Sequence, residues 1–373
     1  MYRGVSVGIL WCKIYLHAGW RPHDLLNLAA LYPEDSLTTI AIVGTGLIGT
    51  SLALAIKNSN LEVDVVGTDY DGSARTGAQK SGAFKKVESR LSNAIRGADV
   101  VVYATPIMAM REMMESSVND FAEGCVVTDV GSSKKIVLEW ADEVLPKHVS
   151  FVGGHPMAGK ELSGPTNADK DLFKGKAYCI IPSVTAEQSA VSSITTLAES
   201  IGAKPFFIGV DEHDSFVAAA SHLPFMMSVA LMGTASKSAN WDDIAQLASS
   251  GFGDLSRLAS GDPIMHRDIC VSNPEPIVAW MDAYIREMYD LRNMLANENG
   301  PDPEAVHQVF VDAMDARARW QAGIFTTLDR VSGPSTEIPT FAESMGEMFM
   351  GRRVMDAQKK IFGGLKDDRA NKS

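Results

Sequence analysis

Cysteine is scarce in this chain. The four residues, Cys12, Cys125, Cys179 and Cys270, are spread over 373 positions, too far apart for a metal knuckle or a disulfide framework, so neither is expected. That usage suits a reducing compartment, and a cytoplasmic location is expected. Positive charge is also in deficit. Lys plus Arg number 34 against 46 Asp plus Glu, a net charge of −12 with no basic block, which argues against nucleic-acid binding. Long apolar runs are missing near the start: Val5 to Cys12 ends at Lys13, far short of the roughly 20 residues that span a bilayer. No A-x-A-like cleavage site follows, so neither a membrane anchor nor a signal peptide is expected. Repeats and low-complexity tracts are absent. What remains is a globular composition, 46% hydrophobic and 21% charged, long enough at about 150 residues per domain for two or three domains.

Residues 1–37 show no clean period; Trp11, Trp20, Pro22 and Pro33 mark a loose arm of no assigned role. From Thr38 the pattern becomes a short β-branched run, a glycine turn and an apolar helical stripe. Further β-rich runs follow at Val63–Thr68, Asp99–Ala104, Cys125–Val130, Ser150–Val152, Lys176–Ile181 and near Phe206–Val210, separated early on by helical stretches. Strands alternating with helices predict an α/β fold: a Rossmann-type, mostly parallel, doubly wound sheet over residues 38–210. From Asp211 the texture turns to Ala, Leu, Met and Glu at helical spacing, broken at Gly251–Gly253, Gly261–Pro263 and Asn297–Pro303. An all-helical domain is therefore expected over 211–330, one that would dimerise through apolar faces. Residues 331–373 read as a linker followed by a short amphipathic tail at Phe341–Phe362.

The glycine turn is the most specific local signal. Gly44, Gly46 and Gly49 stand as G-T-G-L-I-G between strand and helix, the context in which such a turn binds a dinucleotide pyrophosphate. The helix N-terminus after it supplies N–H donors and the positive dipole end. Asp69 lies 69 − 49 = 20 residues past the last glycine, at the end of the second strand, where a carboxylate can accept both ribose hydroxyls and repel a 2′-phosphate. NAD is therefore favoured over NADP, with Arg75 the one residue that weakens the choice. The expected cofactor segment is Gly44, Thr45, Gly46, Leu47, Ile48 and Gly49, with Asp69 and the turn at Thr105 and Pro106.

Four further segments carry side chains suited to chemistry. Asp129-Val130-Gly131-Ser132-Ser133-Lys134 puts hydroxyls at the carboxyl edge of the sheet, where they serve either a ligand or as helix caps. Gly153-Gly154-His155-Pro156 places an imidazole at the same edge. Ser221-His222-Leu223-Pro224 sits in a helical run that Pro224 should kink or break, freeing polar groups beside His222. Arg257 stands among small and apolar residues, which suits a buried carboxylate partner; an ion pair with Asp254 is its competitor. His17, His23, His148, His213 and His307 lack comparable context and are assigned to surface or core.

Together these residues resemble the prephenate and arogenate dehydrogenases, the cyclohexadienyl dehydrogenases of tyrosine biosynthesis. The resemblance spans about Thr38 to Arg319, roughly three quarters of the chain. It rests on the glycine turn, D-x-G-S at 129–132, G-G-H-P-M-A-G at 153–159, S-H-L-P at 221–224 and D-P-I-M-x-R-D at 262–268. It implies an NAD domain, a helical dimerisation domain and an active site in the cleft between them. The implied reaction removes hydride from ring C4 and CO₂ from C1, with aromatisation as driving force and no metal. By resemblance His155 accepts the proton of the 4-hydroxyl, a role that suits a neutral imidazole of pKa near 6.5. Ser132 would bond the same hydroxyl, Ser221 and His222 would line the substrate pocket, and Arg257 would hold a substrate carboxylate. Asp254 and Glu161 resemble an ionic gate near that arginine, with Glu161 reaching from one subunit to the other.

Two departures stand out. Phe225 occupies a position where many relatives carry a second histidine, and His266 one where some carry an aromatic residue. Two rival readings are another NAD-dependent dehydrogenase of the β-hydroxyacid type and a catalytically silent, dimeric NAD-binding sensor. The first normally needs a catalytic lysine where this chain has S-H-L-P.

Overall fold

In chain order the sheet domain comprises β1 (Thr38–Val43), α1 (Leu47–Lys57), β2 (Val63–Thr68), α2 (Gly72–Ser81), β3 (Lys86–Glu88), α3 (Leu91–Ile95), β4 (Val100–Tyr103), α4 (Ile107–Ser117), β5 (Val126–Asp129), α5 (Lys135–Val144), β6 (Ser150–Pro156), β7 (Ala177–Pro182), α6 (Gln188–Ser200) and β8 (Lys204–Phe207). This is a computed structural model that describes residues 38–324; the expected arm and tail lie outside the described residues. The strands form one eight-stranded sheet in the order β3-β2-β1-β4-β5-β6-β7-β8. Its first six strands run parallel, with the reversal of order beside β1 at which doubly wound folds bind ligands.

Alternation along β1 explains why the sheet is covered on both faces. Ile40 and Ile42 pack with Leu52, Ile56, Val152 and Ile194, whereas Ala41 and Val43 face Ile107, Met110 and Trp140 on the other side.

Three details differ from the sequence expectation. β3 is a further strand; its three residues sit at the sheet edge with no apolar run to announce them. β7 runs antiparallel to β6, so the sheet is mixed at that end. The last strand ends at Phe207, because Gly209, Asp211 and Glu212 start a helix where the strand was expected to continue.

The helical part comprises α7 (Val210–Val217), a π-helical turn at Ala218–His222, α8 (Leu223–Ser236), α9 (Trp241–Leu247), α10 (Ser250–Ser256), α11 (Pro263–Ser272), α12 (Pro274–Leu295) and α13 (Pro303–Gln321). At Pro224 the helix does not break: it continues through that π turn, which accommodates a proline that cannot donate to the carbonyl of Ala220. The stretch Val210–Ser236 is long and apolar enough to cross a membrane. It also carries His213, Asp214, His222 and Ser228, all buried, as a helix packed into protein does. Asp262, which accepts from the N–H groups of Ile264 and Met265, starts α11 at an expected break. Gly251 and Gly253 do not break the chain; both lie inside α10, whose last turn is held by a hydrogen bond from Ser228 to the Leu255 carbonyl, 2.5 Å. Two compact units divide at Glu287 and Met288, and every residue of the candidate site belongs to the first. In the second, Asp302 caps α13 and Pro303 occupies its first turn.

Candidate active site

The glycine turn has the shape that a dinucleotide requires. Gly44 adopts φ +97°, and a Cβ there would meet the Ala104 carbonyl oxygen at 2.4 Å. A Cβ on Gly49 would lie 2.0 Å from the Gly44 carbonyl oxygen, so this glycine lets α1 close on the turn. Gly46 differs: nothing lies within 4 Å of its would-be Cβ. The backbone is bare there, directly before Leu47 and Ile48 in the first turn of α1, and a pyrophosphate would fill that space. Gly46→Val should accordingly fold as the parent does, with a similar thermal midpoint, yet bind NAD at least about tenfold more weakly by titration calorimetry. Unchanged affinity would place the cofactor elsewhere.

Asp69, at the end of β2, is anchored to this turn. Its Oδ2 accepts from the Thr45 N–H at 2.7 Å and the Thr45 hydroxyl at 3.3 Å, and its Oδ1 accepts from the Asp71 N–H at 3.0 Å. A carboxylate has about four acceptor positions, so capacity remains for a ribose hydroxyl. Arg75 donates to the carbonyls of Asp69 at 2.8 Å and Tyr70 at 3.0 Å, engagements with main chain that occupy part of its guanidinium. Thr105 touches the turn beside Gly44, and its buried hydroxyl has no partner among the described residues; Pro106 follows as the N-cap of α4.

His155 lies near the carboxyl end of β6, 7% exposed. Its Nδ1 is 2.9 Å from Nε2 of His213, and His213 Nδ1 is 2.8 Å from Asp214 Oδ1. Burial holds the His155 pKa well below 6.5, helped by the charges that His213, Lys134 and His222 can carry. An ordinary pKa was expected from sequence; desolvation overturns that. His222 is fully buried, and burial lowers its pKa to about 4. Its Nδ1 lies 3.3 Å from the Asn273 amide nitrogen, and its Nε2 has no partner among the described residues. Ser221, beside it, is half-buried.

The segment after β5 is held by a different device from the one its serines suggest. Neither Ser132 nor Ser133 caps α5: Asp214 does, accepting from the N–H groups of Lys134 at 2.8 Å and Lys135 at 2.9 Å. Ser133 instead bonds Ser272 at 2.7 Å, and Ser132 is left half-buried. Lys134 and Asp129, both fully buried, form an ion pair, and Asp129 also accepts from the N–H groups of Gly131 at 2.8 Å and Gly154 at 3.2 Å.

Arg257 is not buried as expected. Its side chain is 56% exposed and pairs with Glu161 of the same chain rather than with Asp254, which is exposed. The reason is local: Arg257 follows α10 at an exposed turn, and Glu161 lies in the exposed loop after β6. The two departures noted in sequence meet each other, for Phe225 stacks on His266 with ring centroids 4.3 Å apart and an interplanar angle of 10°.

Thus the structure brings His155 and His222 into one buried cluster, and places Arg257 in an ion pair on the loop that follows His155. Sequence reading missed His213, Asp214, Asn273 and Lys134. The adjacent His213-Asp214 pair in the first helix after the sheet was a usable signal; Asn273 offered none.

Comparison with known proteins follows the same division. The prephenate dehydrogenase nucleotide-binding domain matches residues 52–206, and the prephenate dehydrogenase dimerization domain matches residues 210–310. The prephenate dehydrogenase of Bacillus subtilis is 33% identical over 75% of this chain and 75% of its own length. The chain belongs to the prephenate dehydrogenase family. Among solved members, the Aquifex aeolicus prephenate dehydrogenase in complex with hydroxyphenyl propionate and NAD+ superposes with a TM-score of 0.70 at 25% identity, covering 77% of this chain and 99% of that one. The Synechocystis arogenate dehydrogenase gives a TM-score of 0.64 at 26% identity, covering 76% and 100%.

Proposed function

We propose that this family member catalyses the NAD-dependent oxidative decarboxylation of prephenate to 4-hydroxyphenylpyruvate, of arogenate to tyrosine, or of both. The observation that carries the reading is the buried, neutral His155 at the carboxyl edge of a sheet whose glycine turn is open to a dinucleotide. Bound NAD supplies the acceptor for the hydride that leaves ring C4. His155 takes the hydrogen bond, and then the proton, of the 4-hydroxyl. Ser132 bonds the same oxygen and sets its angle to the imidazole. His222, with its unpartnered Nε2, and Ser221 line the pocket from the helical side.

Arg257 receives a substrate carboxylate in exchange for Glu161. Such an exchange is inexpensive, because a half-exposed pair contributes only about 0–1 kcal/mol. Asp254 stands on the same exposed turn. Arg257→Gln should raise KM about 10- to 100-fold while kcat changes little, since the contact to carboxylate exists before chemistry begins. Steady-state kinetics with an unchanged KM would remove the assignment.

NAD is preferred to NADP because Asp69 presents charge where a 2′-phosphate would sit, and Arg75 is engaged by main-chain carbonyls. The active form is a homodimer: the match to the dimerization domain and the exposed apolar side chains Phe216, Val229, Leu255 and Val271 on the helices support it. The free thiols of Cys125, Cys179 and Cys270 suit a cytoplasmic enzyme. The deciding experiment incubates the protein with NAD and either substrate while reduced cofactor is followed by absorbance. Turnover supports the reading; turnover with neither substrate overturns it.

A further inference from the structure

Asp214 sits where two hydrogen-bonded chains begin, one ending on His155 and the other on His222. Its carboxylate accepts from Lys134 N–H, Lys135 N–H and His213 Nδ1, at 2.8, 2.9 and 2.8 Å. Its main-chain carbonyl accepts from the Asn273 side-chain amide at 2.8 Å. We infer that Asp214 sets the two active-site imidazoles in opposite tautomers, acting through His213 on His155 and through Asn273 on His222.

The derivation takes the imidazole rings as neutral and follows the direction of each hydrogen bond. Burial by itself would raise the Asp214 pKa, but the hydrogen bonds from His213, Lys135 and Lys134 outweigh it and hold the carboxyl below its ordinary value. An ionised carboxylate only accepts, so His213 Nδ1 carries a proton. With the His213 ring neutral, its Nε2 is then the acceptor in the 2.9 Å contact and His155 Nδ1 is the donor. This leaves His155 Nε2 bare, the form a proton acceptor needs. Along the second chain, a carbonyl can only accept, so the Asn273 atom facing it is the amide nitrogen. That nitrogen also faces His222 Nδ1 at 3.3 Å, which makes Nδ1 the acceptor and puts the His222 proton on Nε2. The same Nε2 is buried without a partner among the described residues, a donor available to a substrate oxygen.

One residue thereby prepares an acceptor on His155 and a donor on His222. His213, Asp214 and Asn273 are positioning residues, and the inference rests on the function proposed above for what His155 and His222 do with substrate. The wiring itself does not depend on it.

The test is ¹⁵N spectroscopy of histidine-labelled protein without substrate, which distinguishes bare from protonated ring nitrogens. In the wild-type chain His155 is expected with a bare Nε2 and His222 with a bare Nδ1. Finding both rings in the same tautomer would overturn the inference before any variant is made. His213→Leu should release His155 alone into a mixture of tautomers and lower kcat about 10- to 100-fold with NAD affinity unchanged. His213→Gln, which restores an acceptor, should recover the bare Nε2 and most of kcat. Asn273→Leu should release His222 alone. Tautomers unaltered in the leucine variants would refute the wiring. Loss of turnover in the wild-type chain with its tautomers as described would instead refute the proposed reaction.

Discussion

His155→Asn is expected to lower kcat by about 10²- to 10⁴-fold with a smaller change in KM, because the loss falls on proton transfer in the transition state. The substitution should fold: His155 is buried, but its one hydrogen bond is to a neighbouring imidazole rather than to a charge. A near-normal rate would exclude it as the proton acceptor. The pH profile of the unaltered enzyme supplies a companion observation. The acceptor works only when neutral, and burial with nearby cationic groups keeps its pKa well below 6.5. Hence kcat/KM should stay level as pH falls through 6.5 and drop only at more acid values. A limb at the ordinary histidine pKa would mean that the ring is more solvated than its burial indicates. The low pKa also describes the chemistry: a weak base in a dry site bonds the 4-hydroxyl first and takes its proton only as charge moves out of the ring.

The second large effect concerns stability. Lys134→Met should cost about 3–5 kcal/mol in denaturant unfolding, because it strands the Asp129 carboxylate at 0% exposure without its cation. The N–H groups of Gly131 and Gly154 still reach that carboxylate, but two neutral donors do not replace an ammonium. A loss under about 1 kcal/mol would show that water reaches the pair. The pair does more than stabilise. It joins the end of β5 to the start of α5, and through Gly154 to the strand that carries His155. The Lys134 charge is also one of the three that depress the His155 pKa, so the variant that survives folding should show its acid limb displaced upward.

Much of the architecture was legible from local pattern. The β-branched runs, the glycine turn and the carboxylate after the second strand announced a dinucleotide domain, since each is a short-range requirement. Gly44 needs a positive φ, Gly49 a close approach, and Asp69 a strand end. The disturbance of the helix at Pro224 was equally local. What went unseen shares a different character. β3 exists because β2 offers an edge, β7 is antiparallel because of how a long connection returns, and Gly251 and Gly253 stay helical because α10 packs on α8. Periodicity does not report on any of these.

The site divides in the same way. Residue types and spacing determined which side chains could serve: His155 between glycines and a proline, Ser132 after a strand, His222 before Pro224, and Arg257 after a helix. Tertiary structure decided their states. Asp214 caps a helix 79 residues earlier in the chain and orients His213, while Asn273 reaches back across 51 positions to His222. Burial, not sequence neighbours, lowers both imidazole pKa values, and Arg257 stands half-exposed in a pair with Glu161. Desolvation and hydrogen-bond direction are properties of assembled space, so a linear pattern can nominate a proton acceptor but cannot say which of its nitrogens is bare.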